Sequence, residues 1–297
     1  MDGFFFPFGV IEYPHLLFGS FLTMLNLLLA ILSSALIAII MRISTHRAKA
    51  GKTMLAANYL VCFLLAAVYG GFQNLFPNGP TVGMGAFNGL LYLGGFVMMQ
   101  LSVKRSGVVL SSVFMKLGLL VPMVLSVCCF GEVPTAVQVV GFLLAVAAII
   151  LINYEKGGAS ATGVWGLLLL LLMSGGGDAM SKVFEELGDA AFSDSFLFCT
   201  FLAAFLLCVG LVVFTREKPD VKSVLFGLVI GIPNFFSAKF LLMALQEVPA
   251  VIAYPTFSVA SLLAVTLAGV LFFKEKLRKT QWVALAIIAC ALVLLNI

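Results

Sequence analysis

Charge is what this sequence has least of. Only 10% of its 297 residues are Asp, Glu, Lys or Arg, where a soluble globular domain carries about 25%. That is too little to cover a water-facing shell, so a soluble enzyme or a soluble binding module is excluded at the outset. Histidine is nearly absent, with only His15 and His46, and the six cysteines form no CxxC pair and all fall inside apolar segments. A metal centre or a disulfide framework is therefore not expected. There is no HExxH, no GxSxG in a helix and no pair of intramembrane aspartates, so no enzyme and no cofactor is expected. The net charge of +4 is spread over short gaps between apolar runs rather than gathered in a patch, and a nucleic-acid partner is not implied.

What the sequence has instead is apolar length. Hydrophobic residues make up 62% of the chain and mean hydropathy is +1.17. Breaks at Gly, Pro and charged clusters leave runs near 20–41, 54–72, 82–101, 107–129, 135–153, 163–184, 192–214, 221–245, 250–273 and 279–297. Each is close to the roughly 20 residues that an apolar helix needs to cross a bilayer. The runs are continuously apolar rather than alternating, which selects helices over barrel strands. The expected fold is all-α and integral to the membrane, with ten transmembrane helices and the lipid bilayer as obligatory surroundings. Residues 1–19, rich in Phe but broken by Pro7, Glu12 and Pro14, read as an interfacial segment. Met24 is an alternative start to Met1.

Orientation follows from Lys and Arg in short loops. Arg42, Arg47, Lys49 and Lys52 follow the first helix, Lys104 and Arg105 the third, and Lys156 the fifth. Arg216, Lys218 and Lys222 follow the seventh, and Lys274, Lys276, Arg278 and Lys279 the ninth. The loops after even-numbered helices carry Glu132, Glu186, Asp189, Asp194 and Glu247 instead. The odd-numbered loops are thus expected in the cytoplasm, in a multi-pass protein of the cytoplasmic membrane with both termini outside.

The chain also repeats itself. FGEVPTAVQVVGFLLAVAAIILIN, from Phe130, lines up without a gap on FKEKLRKTQWVALAIIACALVLLN, from Phe273, matching Glu132 to Glu275, Gln138 to Gln281 and Asn153 to Asn296. Gly85 and Gly89 fall likewise on Gly227 and Gly231. The period of about 142 residues spans five helices, giving repeats at 20–157 and 158–297. Five is odd, so the second copy must cross the membrane in the opposite sense. Two inverted repeats place a pseudo-two-fold axis in the membrane plane, and exchanging their conformations turns an outward-open cavity into an inward-open one. A secondary transporter working by alternating access is the expected function; a channel or a non-transporting structural membrane protein is the alternative.

On these residues the sequence resembles the drug/metabolite transporter superfamily in its EamA-like ten-helix branch. The resemblance rests on the five-helix duplication and on the pattern Glu132/Gln138/Gly141 and Glu275/Gln281/Ala284 opening the last helix of each half. It rests also on a basic residue ending the first helix of each half, Arg42 and Lys182, and on Pro122 and Pro255 in the fourth. It implies transport of a small solute or metabolite, often export, driven by a proton or a counter-substrate. Ten-helix relatives commonly keep both termini cytoplasmic, which is opposite to the loop charges here.

An ionisable side chain inside a span costs at least about 2.5–3.5 kcal/mol at the bilayer centre, so each needs a reason. Lys116 sits in the middle of helix four and serves either a substrate or ion-pair role or an internal structural pair. Asp178 and Lys182 lie one turn apart on helix six beside Gly175, Gly176 and Gly177. They can form a plain intrahelical pair, or the glycines can permit close approach or a local break at a binding site. Lys182, near the outer interface, is expected to snorkel, so that its loss matters less. Lys239 in helix eight can snorkel or face substrate. Asn234, after Pro233, and Tyr254, before Pro255, line a cavity or bond between helices. Glu132 and Glu275 are expected to cap helices five and ten.

Overall fold

The computed structural model describes residues 14–44, 47–72, 75–106, 111, 114–153, 164–274 and 279–297. Among them are ten helices and no strand. They are α1 (Pro14–Ser44), α2 (Gly51–Gly70), α3 (Gly79–Ser106), α4 (Phe114–Cys129, with a 3-10 turn at Leu117–Leu119), and α5 (Ala136–Asn153). The second half holds α6 (Val164–Leu187), α7 (Ser193–Phe214), α8 (Val221–Leu245), α9 (Ala250–Phe273) and α10 (Lys279–Leu295). Seven of them are long and apolar enough to cross a membrane, and the apolar stretches of α4, α5 and α10 are shorter. Helices suit this sequence because hydrocarbon offers no partner for a backbone amide or carbonyl, and a helix satisfies both within itself.

The apolar runs locate these helices to within a few residues, with two differences of note. α1 begins at Pro14, so the end of the expected interfacial segment is helical, and proline is well placed at a helix start because its missing N–H would have no partner there. Residues 1–13 lie outside the described residues. α3 runs on to Ser106, past its apolar stretch, because Lys104 and Arg105 near its carboxyl end complement the helix dipole.

Helix association in a bilayer depends on close backbone packing at small residues more than on apolar burial. The paired glycines show this. A Cβ on Gly85 would stand 2.6 Å from the Cβ of Cys199, and one on Gly89 would stand 2.7 Å from the Cβ of Ala203. In the other half, Gly227 meets Ala57 at 2.7 Å and Gly231 meets Val61 at 2.6 Å on the same construction. Each residue of one interface lies 142 positions from its counterpart in the other. The repeat legible in the sequence is therefore a repeat in space, with α3 against α7 matching α8 against α2. Gly89→Ala or Gly231→Ala is expected to cost about 1–3 kcal/mol by overpacking. Gly83→Ala, with open space around it, should leave thermal stability in detergent within about 0.5 kcal/mol.

The two halves are inverted. α2 and α7 occupy equivalent positions yet run antiparallel: Gly70 lies by Asp194, Phe63 by Phe198 and Phe205, and Lys52 by Thr215. Their seam holds the aromatic core, with Tyr59, Phe201 and Phe235 buried and Phe184 stacked on Phe196 at 4.3 Å between centroids. The equivalents α1–α8 and α6–α3 are both antiparallel pairs as well. Ser237 on α8 donates to the Ala30 carbonyl, and Ser102 on α3 donates to that of Gly166. α5 and α10 pack on each other across the same axis.

Candidate functional site

α6 is continuous through Gly175, Gly176 and Gly177, so the glycine run produces no break. It serves close approach instead. A Cβ on Gly175 would strike the Gly118 carbonyl of α4, and one on Gly177 would meet the Tyr92 ring of α3 at 2.7 Å and the Asn88 Oδ1 at 3.5 Å. Neighbouring helices pressed onto three residues without side chains hold the backbone helical despite its weak propensity. The result brings α3 and α4, from the first half, against the segment of α6 that carries Asp178.

Lys116 and Asp178 are both half-buried. Each feels the charge of the other, yet the two form no contact ion pair, and neither side chain makes a hydrogen bond among the described residues. Tyr254 of α9 is buried and its hydroxyl donates to the backbone carbonyl of Asp178. Tyr92 lies close enough for the Asp178 carboxylate to act on its hydroxyl. The site thus draws Tyr92 and Lys116 from one repeat and Asp178 and Tyr254 from the other. Two opposite charges held near each other without a contact bond can each take a ligand group of the other sign.

The remaining expected site residues are elsewhere. Lys182 does not snorkel. It is 2% exposed, and its ammonium pairs with Glu132 at 2.8 Å and with Glu185 and Glu186 at 2.6 Å each. Three carboxylates within reach outcompete the single one of Asp178, so the intrahelical Asp178–Lys182 pair does not form. Glu132 also departs from expectation. It accepts from the amides of Ala250 and Val251 and so caps α9, while α5 is capped by Thr135 and Gln138, each accepting the other's backbone N–H. Burial pushes the Glu132 carboxyl up, but Lys182 and the two amides together hold it below the usual carboxylate range. Glu275 lies outside the described residues.

Lys239 does not reach outward alone: it binds Asp194 at the start of α7 and lies 4.7 Å over the Tyr69 ring. Asn234 donates to Asn58 Oδ1 of α2 at 3.2 Å, the interhelical alternative of the two open to it. Tyr92, Asn58 and Thr200 were not singled out by chemistry. The repeat gives a signal that finds them, because the period of 142 carries Asn234 onto Tyr92 and Asn58 onto Thr200.

An all-helical, inverted five-helix duplication defines a multi-pass membrane protein, and the family that shares it is one of small-solute transporters. The chain belongs to the EamA-like transporter family, whose family model matches residues 21–154 and 161–297. A protein of Haemophilus influenzae described as uncharacterized is 25% identical over 272 residues, which cover 88% of this chain and 93% of that protein. A crystal structure of a protein 16% identical to this one superposes with a TM-score of 0.76, covering 92% of this chain and 96% of that one. That likeness is one of fold.

Proposed function

We propose that this protein is a secondary active transporter, carrying a small solute or metabolite across the cytoplasmic membrane by alternating access between its inverted repeats. The observation that carries this reading is the pair Lys116 and Asp178, opposite charges contributed by different repeats, each acting on the other and without a contact partner among the described residues. Lys116 holds an anionic group of the substrate, and Asp178 accepts a proton or a cationic group. A lysine and a carboxylate across a partly wet site each stabilise the charged form of the other until substrate or a proton takes the partner's place. That exchange couples the driving gradient to the movement of the solute.

The test is flux into proteoliposomes, run against a panel of metabolites under a proton gradient and under counter-substrate loading. Saturable uptake that depends on the gradient or on the counter-substrate is expected. Uptake that never saturates identifies a channel, and no flux of any compound identifies a structural membrane protein.

Orientation is proposed from the loop charges, with odd-numbered loops in the cytoplasm and both termini outside. In a cysteine-free background, a single Cys replacing Lys276 should resist a membrane-impermeant thiol reagent in intact cells, and one replacing Asp189 should react. The reverse pattern overturns this orientation and puts both termini in the cytoplasm.

A further inference from the structure

A second candidate site lies away from the charged pair. Where α3 ends and α6 begins, the two helices part to leave a cleft of about 240 Å³. Its floor is apolar, formed by Met98, Leu101 and Leu169, and its lip carries Arg105, Ser106 and Trp165. On α3 the order from Met98 to Arg105 runs from floor to lip over about 10 Å, at ~1.5 Å per residue. α6 runs the other way, from Trp165 at the lip to Leu169 at the floor.

The cleft opens to lipid rather than to the substrate site. Leu101 is nine residues from Tyr92, and Leu169 is nine from Asp178. At about 3.6 residues per turn, nine residues place two side chains on opposite faces of a helix. Leu101 and Leu169 are accordingly 42% and 44% exposed, and Trp165 is 81% exposed. Tryptophan with this exposure at a helix end is a residue of the membrane–water interface.

The polar groups at the lip are unspent. The Arg105 guanidinium makes no ion pair or hydrogen bond among the described residues. The Ser106 hydroxyl is buried, in a residue only 5% exposed, and also lacks a partner among them. The neighbouring Ser102 hydroxyl, by contrast, is used on the Gly166 carbonyl. Burying a hydroxyl without a partner is costly, and this one borders a cleft next to a bare guanidinium and the first turn of α6. The amides of a helix's first turn lack intrahelical acceptors and favour an anion. A cationic, hydrogen-bonding lip above an apolar floor, open to the bilayer, matches the charge and polarity of one kind of molecule.

We propose that this cleft binds an anionic phospholipid. The phosphate sits on Arg105 and the Ser106 hydroxyl beside the amino end of α6, and an acyl chain lies over Met98, Leu101 and Leu169. Arginine suits the role because its planar fork of donors matches phosphate oxygens in pairs. The cleft lies at the Lys/Arg-rich end of the bundle, where basic pockets between spanning helices select anionic headgroups. At the same end, α1 and α8 enclose another cleft, of about 380 Å³, with Lys222 at its edge and apolar residues such as Ile40 and Phe226 around it. It offers a cation without a buried hydroxyl and serves as the internal control.

The test uses Trp165 as the reporter. The chain has two tryptophans, so Trp282→Phe leaves Trp165 alone. The full-length protein is reconstituted into phosphatidylcholine vesicles, and its fluorescence is titrated with brominated phosphatidylglycerol or brominated phosphatidylcholine. Brominated phosphatidylglycerol is expected to quench at about fivefold lower mole fraction, the preference one arginine gives near a charged surface. Arg105→Gln should abolish the preference, Ser106→Ala should weaken it, and Lys222→Gln should leave it intact. Equal quenching by the two lipids, or a preference that survives Arg105→Gln, overturns the proposal. So does millimolar inorganic phosphate if it relieves the quenching, since the site is then one for a soluble anion. None of these outcomes depends on transport, so the site stands or falls separately from the transport reading.

Discussion

Lys116→Ala and Asp178→Asn are each expected to lower coupled transport in proteoliposomes by on the order of 100-fold, the worth of one contact of a charged group at about 3 kcal/mol. Both proteins should still insert and elute as folded monodisperse species. No ion pair or side-chain hydrogen bond among the described residues is lost with either charge. Asp178→Asn keeps the shape of the side chain and removes only its charge and its capacity to take up a proton. The alternative, a purely structural pair, forecasts loss of stability in each single variant. It also forecasts recovery of stability and transport when both are replaced by apolar residues. Wild-type transport by Lys116→Met/Asp178→Leu would defeat the assignment of the site.

The other large effect falls on stability. Lys182→Met is expected to cost on the order of 3–5 kcal/mol, because removing one partner from a buried ionic cluster leaves the remaining charges uncompensated. Here three carboxylates stand around a single ammonium, and one of them, Glu132, also caps α9. Thermal unfolding followed by size-exclusion fluorescence reads this loss, while transport per folded molecule should change much less than in Lys116→Ala. Adding Glu132→Gln should recover part of the loss, since it removes one of the stranded charges. Acid narrows the difference. Glu132 binds its proton less readily in the folded protein than its ordinary value of 4.5. Its contribution is therefore complete above that value and is lost as pH falls through the lower folded one. Wild type and Lys182→Met should converge there, and a gap that widens in acid would contradict the cluster.

The helices and their duplication were legible because the bilayer enforces a simple code. Every span must be apolar over about 20 residues, and an inverted repeat writes that code twice. Gly85, Gly89, Gly227 and Gly231 were legible for a related reason, since small residues in helical register mark close approach. The partners of charged residues were not legible. The chain order offers Asp178 to Lys182 at one turn's distance, but Glu132, 50 residues away, arrives beside Lys182 only because α6 and the α4–α5 connection meet in space. The same holds for Lys239 and Asp194, separated by 45 residues. Local spacing predicts local pairs, and tertiary packing overrules it wherever several opposite charges converge. Tyr92 was hidden differently: an aromatic residue in an apolar span looks like packing until the repeat sets it opposite Asn234.

The glycine-lined contacts have a consequence for how such a molecule can move. α3 on α7 and α8 on α2 already share one arrangement: the matched approaches to Cys199 and Ala57, and to Ala203 and Val61, agree to within 0.1 Å, while the backbone comes closer to Gly227 than to Gly85. If the halves trade conformations, as the proposed transport reading requires, each of these contacts turns into the other with only a small adjustment. They form an axle. The rotation is left to the helices around it, α1, α4, α6 and α9, and these include all three that bear Lys116, Asp178 and Tyr254. In that proposal, an axle carried by four bare glycine surfaces lets Lys116 and Asp178 change their exposure without disturbing the middle of the protein.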